Sequence, residues 1–226
     1  RDISRVVQNY PGVAFSPIGY RNDLIVRGGG PSENRFYLDG VEIPNINHFS
    51  TQGASGGPVG LIDADLIRNV KFYSGAFPAN RGNALSSVLD FSLRDGSMDR
   101  NSLKATLGAS EVSLSSNGHI GNKTSYLVSV RQSYLQMLFK VLGLPFLPAY
   151  TDASFKLKTR FNDSNELTFI GLGGLDRMKL NMDIDGESAE YILSYLPKIE
   201  QETFTLGGVY KHYAGNHVQS VTWSHS

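Results

Sequence analysis

The chain has 226 residues, of which 24 are glycine, and its 21 lysine and arginine residues balance 21 aspartate and glutamate residues. This zero net charge counts against a nucleic-acid-binding protein, which needs a basic surface to neutralise phosphates. The absence of cysteine excludes disulfides, thiolate metal sites and cysteine nucleophiles.

The start of the chain and its longest apolar run indicate how it could cross a membrane. It opens on Arg1 with neither an initiator methionine nor a signal peptide, so we expect a mature or internal fragment. The longest apolar stretch, residues 135–150, includes Lys140 and two prolines. It is shorter than the roughly 20 apolar residues of a spanning helix. Any crossing of a membrane is therefore expected to use strands.

Short mixed elements are predicted before residue 97. Asp2 can cap a helix over residues 3–9, which Pro11 and Gly12 would end. A helical turn is expected over 63–69. Strands bounded by glycine, asparagine or aspartate are expected at 24–26, 35–38, 70–73 and 88–93. Together these elements predict a small α+β domain, with a small mixed sheet, short helices and long glycine-rich loops.

After residue 97 the pattern changes to a two-residue alternation of apolar and polar side chains. Leu103 and Leu107 alternate with Lys104, and Val128 and Val130 with Arg131. Tight turns are predicted at 121–123, 162–165 and 214–216, and longer links at 135–151 and 176–201. Short turns at one end and long loops at the other are typical of an outer-membrane barrel. A soluble β-sandwich with one polar face would show the same alternation.

Four segments of the first half follow one another in a specific order. They are Val-Val-Gln-Asn-Tyr-Pro-Gly-Val at 6–13, Leu-Ile-Val-Arg-Gly-Gly at 24–29, Phe-Tyr-Leu-Asp-Gly-Val-Glu-Ile-Pro at 36–44, and Leu-Ile-Asp-Ala-Asp-Leu-Ile-Arg-Asn-Val-Lys-Phe-Tyr-Ser-Gly at 61–75. This order resembles the plug domain of TonB-dependent outer-membrane receptors. The resemblance implies a plug domain over residues 1–96 that lacks its N-terminus. Residues 97–226 would then be about seven of the ~22 antiparallel strands of a plugged transmembrane barrel.

The resemblance also implies a function and a set of partners. The whole protein would be a non-enzymatic transporter in the outer membrane of a Gram-negative cell, importing a scarce or large ligand such as a metal chelate, cobalamin, glycan or peptide. TonB, with its energising inner-membrane complex, would bind through an N-terminal box absent here and loosen the plug. Outer-membrane lipid would surround the barrel, and a surface lipoprotein could cover it, as in the glycan-uptake subgroup.

Candidate site residues come from matching positions in that family. Arg27 is expected to lock the plug by pairing with carboxylates on the inner barrel wall. The three plug apices provide the candidate ligand-binding residues, namely Phe15, Tyr20, Ser32, Glu33, Asn47, His48 and Phe49. Their aromatic surface and hydrogen-bonding groups suit a small-molecule site.

Other motifs indicate little chemistry. Gly28 to Gly30 lack the Gly-Lys-Ser/Thr that a phosphate loop requires. Residues 183–188 only partly match a calcium loop. The five histidines have no zinc spacing, so neither a metal site nor a cofactor is predicted, and nor is nucleic-acid binding. The alternative from another class of function is a soluble, secreted β-rich binding or adhesion module, which would explain the alternation but not the order of the four segments.

Overall fold

The computed structural model describes residues 6–14, 22–51, 54, 57, 59–182 and 198–226. These residues form two layers. A small N-terminal domain packs against one face of a large antiparallel sheet, which we call the wall. Of the predicted helix over residues 3–9, residues 3–5 lie outside the described residues, Val6 and Val7 are helical, and residues 8 and 9 already form a turn.

The N-terminal domain is built on a four-stranded mixed sheet with the order β4-β3-β6-β5. Its strands are β3 (Asn34–Leu38), β4 (Val41–Ile43), β5 (Ile67–Tyr73) and β6 (Ser87–Leu93), and a separate pair joins β1 (Val13–Ala14) to β2 (Ile25–Val26). Strand β3 runs parallel to β6, and the other pairs are antiparallel. Asp39 and Gly40, with φ of 48° and 91°, form the two-residue turn between β3 and β4. This confirms the predicted small mixed sheet.

Two single turns of 3-10 helix, Pro31–Glu33 and Ala64–Leu66, complete the described part of this domain. The helical turn predicted over 63–69 is shorter than expected, because β5 already begins at Ile67. The Asp63 carboxylate accepts a hydrogen bond from the Asp65 N–H at 2.9 Å and so caps the second turn.

The wall contains seven strands in chain order, each antiparallel to the next. They are β7 (Ser102–Leu107), β8 (Glu111–Ile120), β9 (Thr124–Ser133), β10 (Phe146–Asn162), β11 (Asn165–Leu180), β12 (Ile199–Ala214) and β13 (His217–His225). The tight turns lie where they were predicted, at 121–123, 163–164 and 215–216. The opposite end of the wall carries the longer connections.

The first long connection is shorter than the predicted 135–151. A seven-residue helix, α1 (Leu135–Val141), occupies its first part, and β10 already begins at Phe146. Pro148 is tolerated in β10 because β9 pairs with this strand only from Thr151 onwards, so the missing N–H interrupts no bond to β9. The second link is also shorter, and residues 183–197, which include the partial calcium-loop motif, lie outside the described residues. Among the described helices, none is long and apolar enough to cross a membrane.

The two faces of the wall differ in polarity, and the polar face is the buried one. The face towards the N-terminal domain buries polar side chains, namely Ser129, Arg131, Asp152, Ser154, Lys156, Glu166, Thr168, Asp176 and Thr205. The opposite face exposes apolar ones, namely Leu103, Leu107, Val112, Leu114, Val128, Val130, Phe169, Leu175, Phe204, Leu206 and Trp223. A soluble sandwich would bury its apolar face instead.

The hydrophobic core lies inside the N-terminal domain and extends to the wall. Leu38, Leu89 and Phe91 of the four-stranded sheet are fully buried. Four apolar residues of the wall join the same cluster, namely Leu127, Ile170, Leu172 and Val209. The domain is therefore held on the wall by packing as well as by polar contacts.

Gly96 is the point at which the chain passes from the domain to the wall. A Cβ atom there would lie 2.1 Å from the Tyr126 carbonyl oxygen and 2.5 Å from that of Gly118. We therefore expect Gly96→Ala to lower the free energy of unfolding of the full-length protein by about 1–3 kcal/mol, because the linker must shift. Denaturant titration in detergent measures this. The control is Gly82→Ala, since no atom lies within 4 Å of a Cβ at Gly82. Equal midpoints for the two variants would contradict the expected crowding.

Candidate functional site

A buried histidine forms the centre of the contact between the N-terminal domain and the wall. The side chain of His48 is 0% exposed. Its Nδ1 atom lies 2.5 Å from Oδ1 of Asp176 on β11, and its Nε2 atom lies 3.0 Å from Oδ2 of Asp152 on β10. The ring stacks on Tyr150 with 4.3 Å between centroids. One loop residue thus joins two neighbouring strands of the wall.

The second oxygen of each carboxylate also has a donor. Asp176 Oδ2 accepts a hydrogen bond from the backbone N–H of Phe49 at 2.6 Å, and Asp152 Oδ1 accepts one from Nε of Arg131 at 2.9 Å. Phe49 has a φ of 54°, a left-handed conformation that is costly for a residue with a side chain. This conformation lets the Phe49 N–H and the His48 ring reach Asp176 together.

Arg131 on β9 extends the contact along the same loop. One of its terminal nitrogens donates to the backbone carbonyls of Gly60 and Leu61 at 2.8 and 2.9 Å. Nearby, the Ser129 hydroxyl donates to Asp63 at 3.0 Å. The wall therefore binds both the start and the end of the His48 loop, whose described residues are 46–51, 54, 57 and 59–62.

A second polar cluster lies closer to the tight-turn end of the wall. Lys156 is four residues beyond Asp152 on β10, which places it about 13 Å further along the strand. Its ammonium group contacts Asp95 Oδ1 at 2.8 Å, the Leu93 carbonyl oxygen at 3.1 Å and Asp39 Oδ1 at 3.2 Å. Lys158 adds a bond to Asp95 at 3.0 Å.

The carboxylates of this second cluster have perturbed acidities. Burial raises the pKa of Asp39, although the ammonium group of Lys156 opposes the shift. For Asp95, burial favours the neutral acid, but hydrogen bonds from Lys156 and Lys158 outweigh it and lower the pKa. A polar cavity of about 280 Å³ adjoins these groups, and it is also lined by Arg68, Arg81, Asp90 and Lys211.

The predicted site residues occupy different environments. Arg27 is exposed at the end of β2, with a φ of 51°, and its backbone N–H donates to the Gly12 carbonyl at 2.8 Å. Among the described residues its side chain makes no ion pair, so its role as a lock stays a prediction. Ser32 is exposed and Glu33 half-buried in the first 3-10 turn. Phe15 and Tyr20 lie outside the described residues.

The third predicted apex is the buried loop of the wall contact. Asn47 donates to the Gly57 carbonyl at 3.1 Å, His48 bridges the two aspartates, and Phe49 is only 7% exposed beside Tyr150. A ligand could touch these three side chains only after the loop moves. Their role in ligand binding stays a prediction.

The wall residues that contact this loop were not predicted from the sequence. Arg131, Asp152 and Lys156 all fall on the polar side of the alternation, but only the strand register shows that Arg131 faces Asp152 directly across β9 and β10. Pairing the two strands residue by residue outward from the predicted turn at 162–165 could have placed Asp176 opposite Tyr150. Nothing in the sequence indicates that His48 reaches these strands from more than 100 residues away.

A sheet that is apolar on its exposed face and polar on the face bonded to a folded domain is typical of part of a plugged outer-membrane β-barrel. Comparison with protein families matches residues 1–88 to the TonB-dependent Receptor Plug Domain. Residues 1–88 therefore carry the plug domain of TonB-dependent receptors, and the wall that follows them shares the fold of part of a solved ferric enterobactin receptor. From here we call the N-terminal domain the plug.

Solved structures share this fold at low sequence identity. A ferric enterobactin receptor (PfeA) mutant from Pseudomonas aeruginosa matches with a TM-score of 0.66 and 14% identity, over 99% of this chain and 38% of that one. The siderophore receptor PirA from Acinetobacter baumannii matches with a TM-score of 0.66 and 16% identity, over 99% and 37%. The ferripyoverdine receptor of P. aeruginosa has a TM-score of 0.64 and 15% identity, over 98% and 31%.

The chain thus spans less than two-fifths of the length of these receptors. No match was found among curated protein sequences.

Proposed function

We propose that the protein containing this chain imports a scarce or large ligand across the outer membrane, and that the plug blocks the barrel lumen until TonB and its inner-membrane complex loosen it. Residues 1–96 act as the plug and residues 97–226 as part of the barrel. The ligand is a metal chelate, cobalamin, a glycan or a peptide. A surface lipoprotein is a possible further partner if the ligand is a glycan.

The polar contact between plug and wall is the observation that carries this proposal. A domain that must move needs a contact that is specific but can be exchanged for water. Buried ion pairs meet this need, because their attraction largely offsets the cost of desolvation and leaves little net stability. His48, Arg131 and Lys156 form such pairs on the inner face of the wall. A permanent structural contact would be better served by apolar packing alone.

The outer face of the wall supports contact with lipid. Val128 lies in the middle of β9, with its side chain on the exposed apolar face. We expect Val128→Arg to lower the stability of the receptor folded into lipid bilayers by about 2–4 kcal/mol, because arginine is costly at the bilayer midplane. Reversible folding into vesicles measures this value. The matched control is Val128→Leu, which keeps the side chain apolar and should change little.

The soluble binding module makes the opposite prediction for the same variant. If this face met water, Val128→Arg would leave stability within about 0.5 kcal/mol of the parent, as most surface substitutions do. The protein would also stay in solution without detergent. The exposed apolar residues and the plug-domain match both count against this alternative.

Uptake by whole cells tests the proposal. Cells expressing the full-length receptor, with or without TonB, are given ferric enterobactin, cobalamin, a maltooligosaccharide or an oligopeptide in labelled form. Ferric enterobactin is the first probe because solved receptors with this fold are named for it. We expect one of these probes to accumulate only when both receptor and TonB are present. Accumulation that does not depend on TonB, or no accumulation of any probe, would overturn the proposal.

A further inference from the structure

The hydrogen bonds around His48 define its protonation state by geometry. Each ring nitrogen faces a carboxylate oxygen, at 2.5 Å for Asp176 and 3.0 Å for Asp152. The other oxygen of each carboxylate already accepts a bond, from Phe49 N–H and from Arg131. Two ionised acceptors need two donors, and imidazole donates from both nitrogens only when it is protonated. A neutral ring would turn one lone pair towards a carboxylate.

The backbone around His48 is shaped to hold this ring against the wall. Gly174 on β11 has no side chain, and a Cβ atom there would lie 3.2 Å from Cε1 of His48 and 2.6 Å from Cδ1 of Leu61. Gly57 lies against the backbone of the same residue, since a Cβ there would lie 1.5 Å from the His48 carbonyl oxygen. The ring is therefore packed closely against Tyr150 of β10 and Gly174 of β11.

We propose that His48 is a protonated pin that fastens the His48 loop to the barrel wall, and that loss of its proton releases this loop from the wall. Loss of this proton would give the plug a second means of release besides loosening by TonB. Its role in gating rests on the proposed function, but the release itself needs neither ligand nor TonB.

The charged and titratable groups around the pin come from every element packed against it. They are Asp152 and Tyr150 of β10, Asp176 of β11, Arg131 of β9, Glu111 of β8 and Asp63 of the plug. Glu111 lies 3.9 Å from Arg131 and accepts a hydrogen bond from the Tyr150 hydroxyl. Arg131 thus has several acidic neighbours, and the two carboxylates that bracket His48 provide the field that favours its cation.

The direction of the pH dependence follows from these contacts. Burial opposes protonation of His48, but the hydrogen bonds and charges of Asp152 and Asp176 outweigh it and raise its pKa above the usual 6.5. A pKa raised in the folded state contributes stability that is fully present below 6.5 and is lost as the pH rises through the higher folded value. The loop is thus expected to be fastened below pH 6.5 and released once the pH exceeds the raised folded pKa.

A distance measurement between loop and wall tests the pin. The described chain offers exposed positions on both sides, Thr51 in the loop and Lys179 on β11. Thr51→Cys and Lys179→Cys, in the full-length receptor in lipid nanodiscs, carry nitroxide labels whose separation is measured by pulsed electron paramagnetic resonance. From about pH 6 to about pH 10, we expect one narrow distance distribution to be replaced by a broader and longer one.

Three variants separate the pin from other effects of pH. His48→Gln cannot become a cation and should show the broad distribution throughout. His212→Gln removes a histidine that bonds Asn165 near a tight turn, so it should keep the parent profile. Asp176→Asn removes one carboxylate, so release should occur at a lower pH than in the parent. A merely structural role for His48 would not move this midpoint.

Two results would overturn the proposal. One is a parent receptor whose distance distribution does not change with pH. The other is a change that persists unaltered in His48→Gln or Asp176→Asn. Because the measurement contains no ligand and no TonB, it can fail while uptake succeeds, or succeed while uptake fails. The two proposals are therefore distinguishable.

Discussion

Replacing Arg131 with methionine is expected to detach the His48 loop from the wall and to cost about 3–5 kcal/mol of the stability of the plug–wall contact. Arg131 is 3% exposed and holds one carboxylate and two backbone carbonyls. Its loss leaves Asp152 with His48 as its only cationic partner in the described structure, and it leaves the Gly60 and Leu61 carbonyls without this donor. Buried groups left unpaired carry the full cost of desolvation.

Hydrogen exchange of the full-length receptor in detergent measures this effect. The loop amides should exchange at least 100-fold faster in Arg131→Met, because about 1.4 kcal/mol corresponds to a factor of ten. The matched control is Arg160→Met, an exposed arginine near the end of β10. Arg131→Lys should be intermediate, since one ammonium group cannot reach all three acceptors. Equal exchange in Arg131→Met and Arg160→Met would show that the buried arginine does not hold the loop.

Replacing Lys156 with methionine should produce the second large effect, about 3 kcal/mol of destabilisation at neutral pH. Lys156 is 5% exposed and neutralises Asp39 and Asp95, which both belong to the plug side. Without it, Asp39 would be a buried carboxylate whose pKa burial already raises. The carboxyl group can then take up a proton, and this relieves the unpaired charge.

The sign of the pH dependence distinguishes this explanation from a simple loss of packing. A carboxyl group with a raised folded pKa makes the folded state bind more protons than the unfolded state, so the penalty should shrink as the pH falls. Unfolding free energies of parent and Lys156→Met at about pH 8 and about pH 5 provide the test. The control is Lys104→Met, which breaks an exposed bond to Asp65 and should cost within about 1 kcal/mol. A penalty independent of pH would contradict the charge-based account.

The wall was largely predictable because its strands alternate and its turns are short. The sequence placed Val128 and Val130 on one face and Arg131 on the other, and the structure confirms this separation. Alternation alone could not say which face meets the plug. The strand order and the plug resemblance resolved that question, since a lone sandwich of this pattern would turn its valines inward.

The plug contact was less predictable because it depends on packing between distant segments. His48 was chosen as a ligand contact from its place in an apex, but the structure buries it against two aspartates more than 100 residues away. Local propensity also gave no sign of the left-handed backbone at Phe49. The strand ends were misplaced for a similar reason, since pairing with β11 extends β10 back to Phe146.

A reversible covalent cross-link between plug and wall tests the central claim that this contact must open during import. The Ser129 hydroxyl and the Asp63 carboxylate are 3.0 Å apart, and the chain has no cysteine of its own. In the full-length receptor, thiols introduced as Asp63→Cys and Ser129→Cys should therefore be close enough for a short bifunctional methanethiosulfonate reagent to join them through two disulfides that a reductant cleaves. We expect cross-linked cells to stop accumulating the imported probe and reductant to restore uptake, while either single cysteine variant imports under both conditions. Undiminished uptake through the fully cross-linked receptor would contradict the claim that the plug must leave this part of the wall.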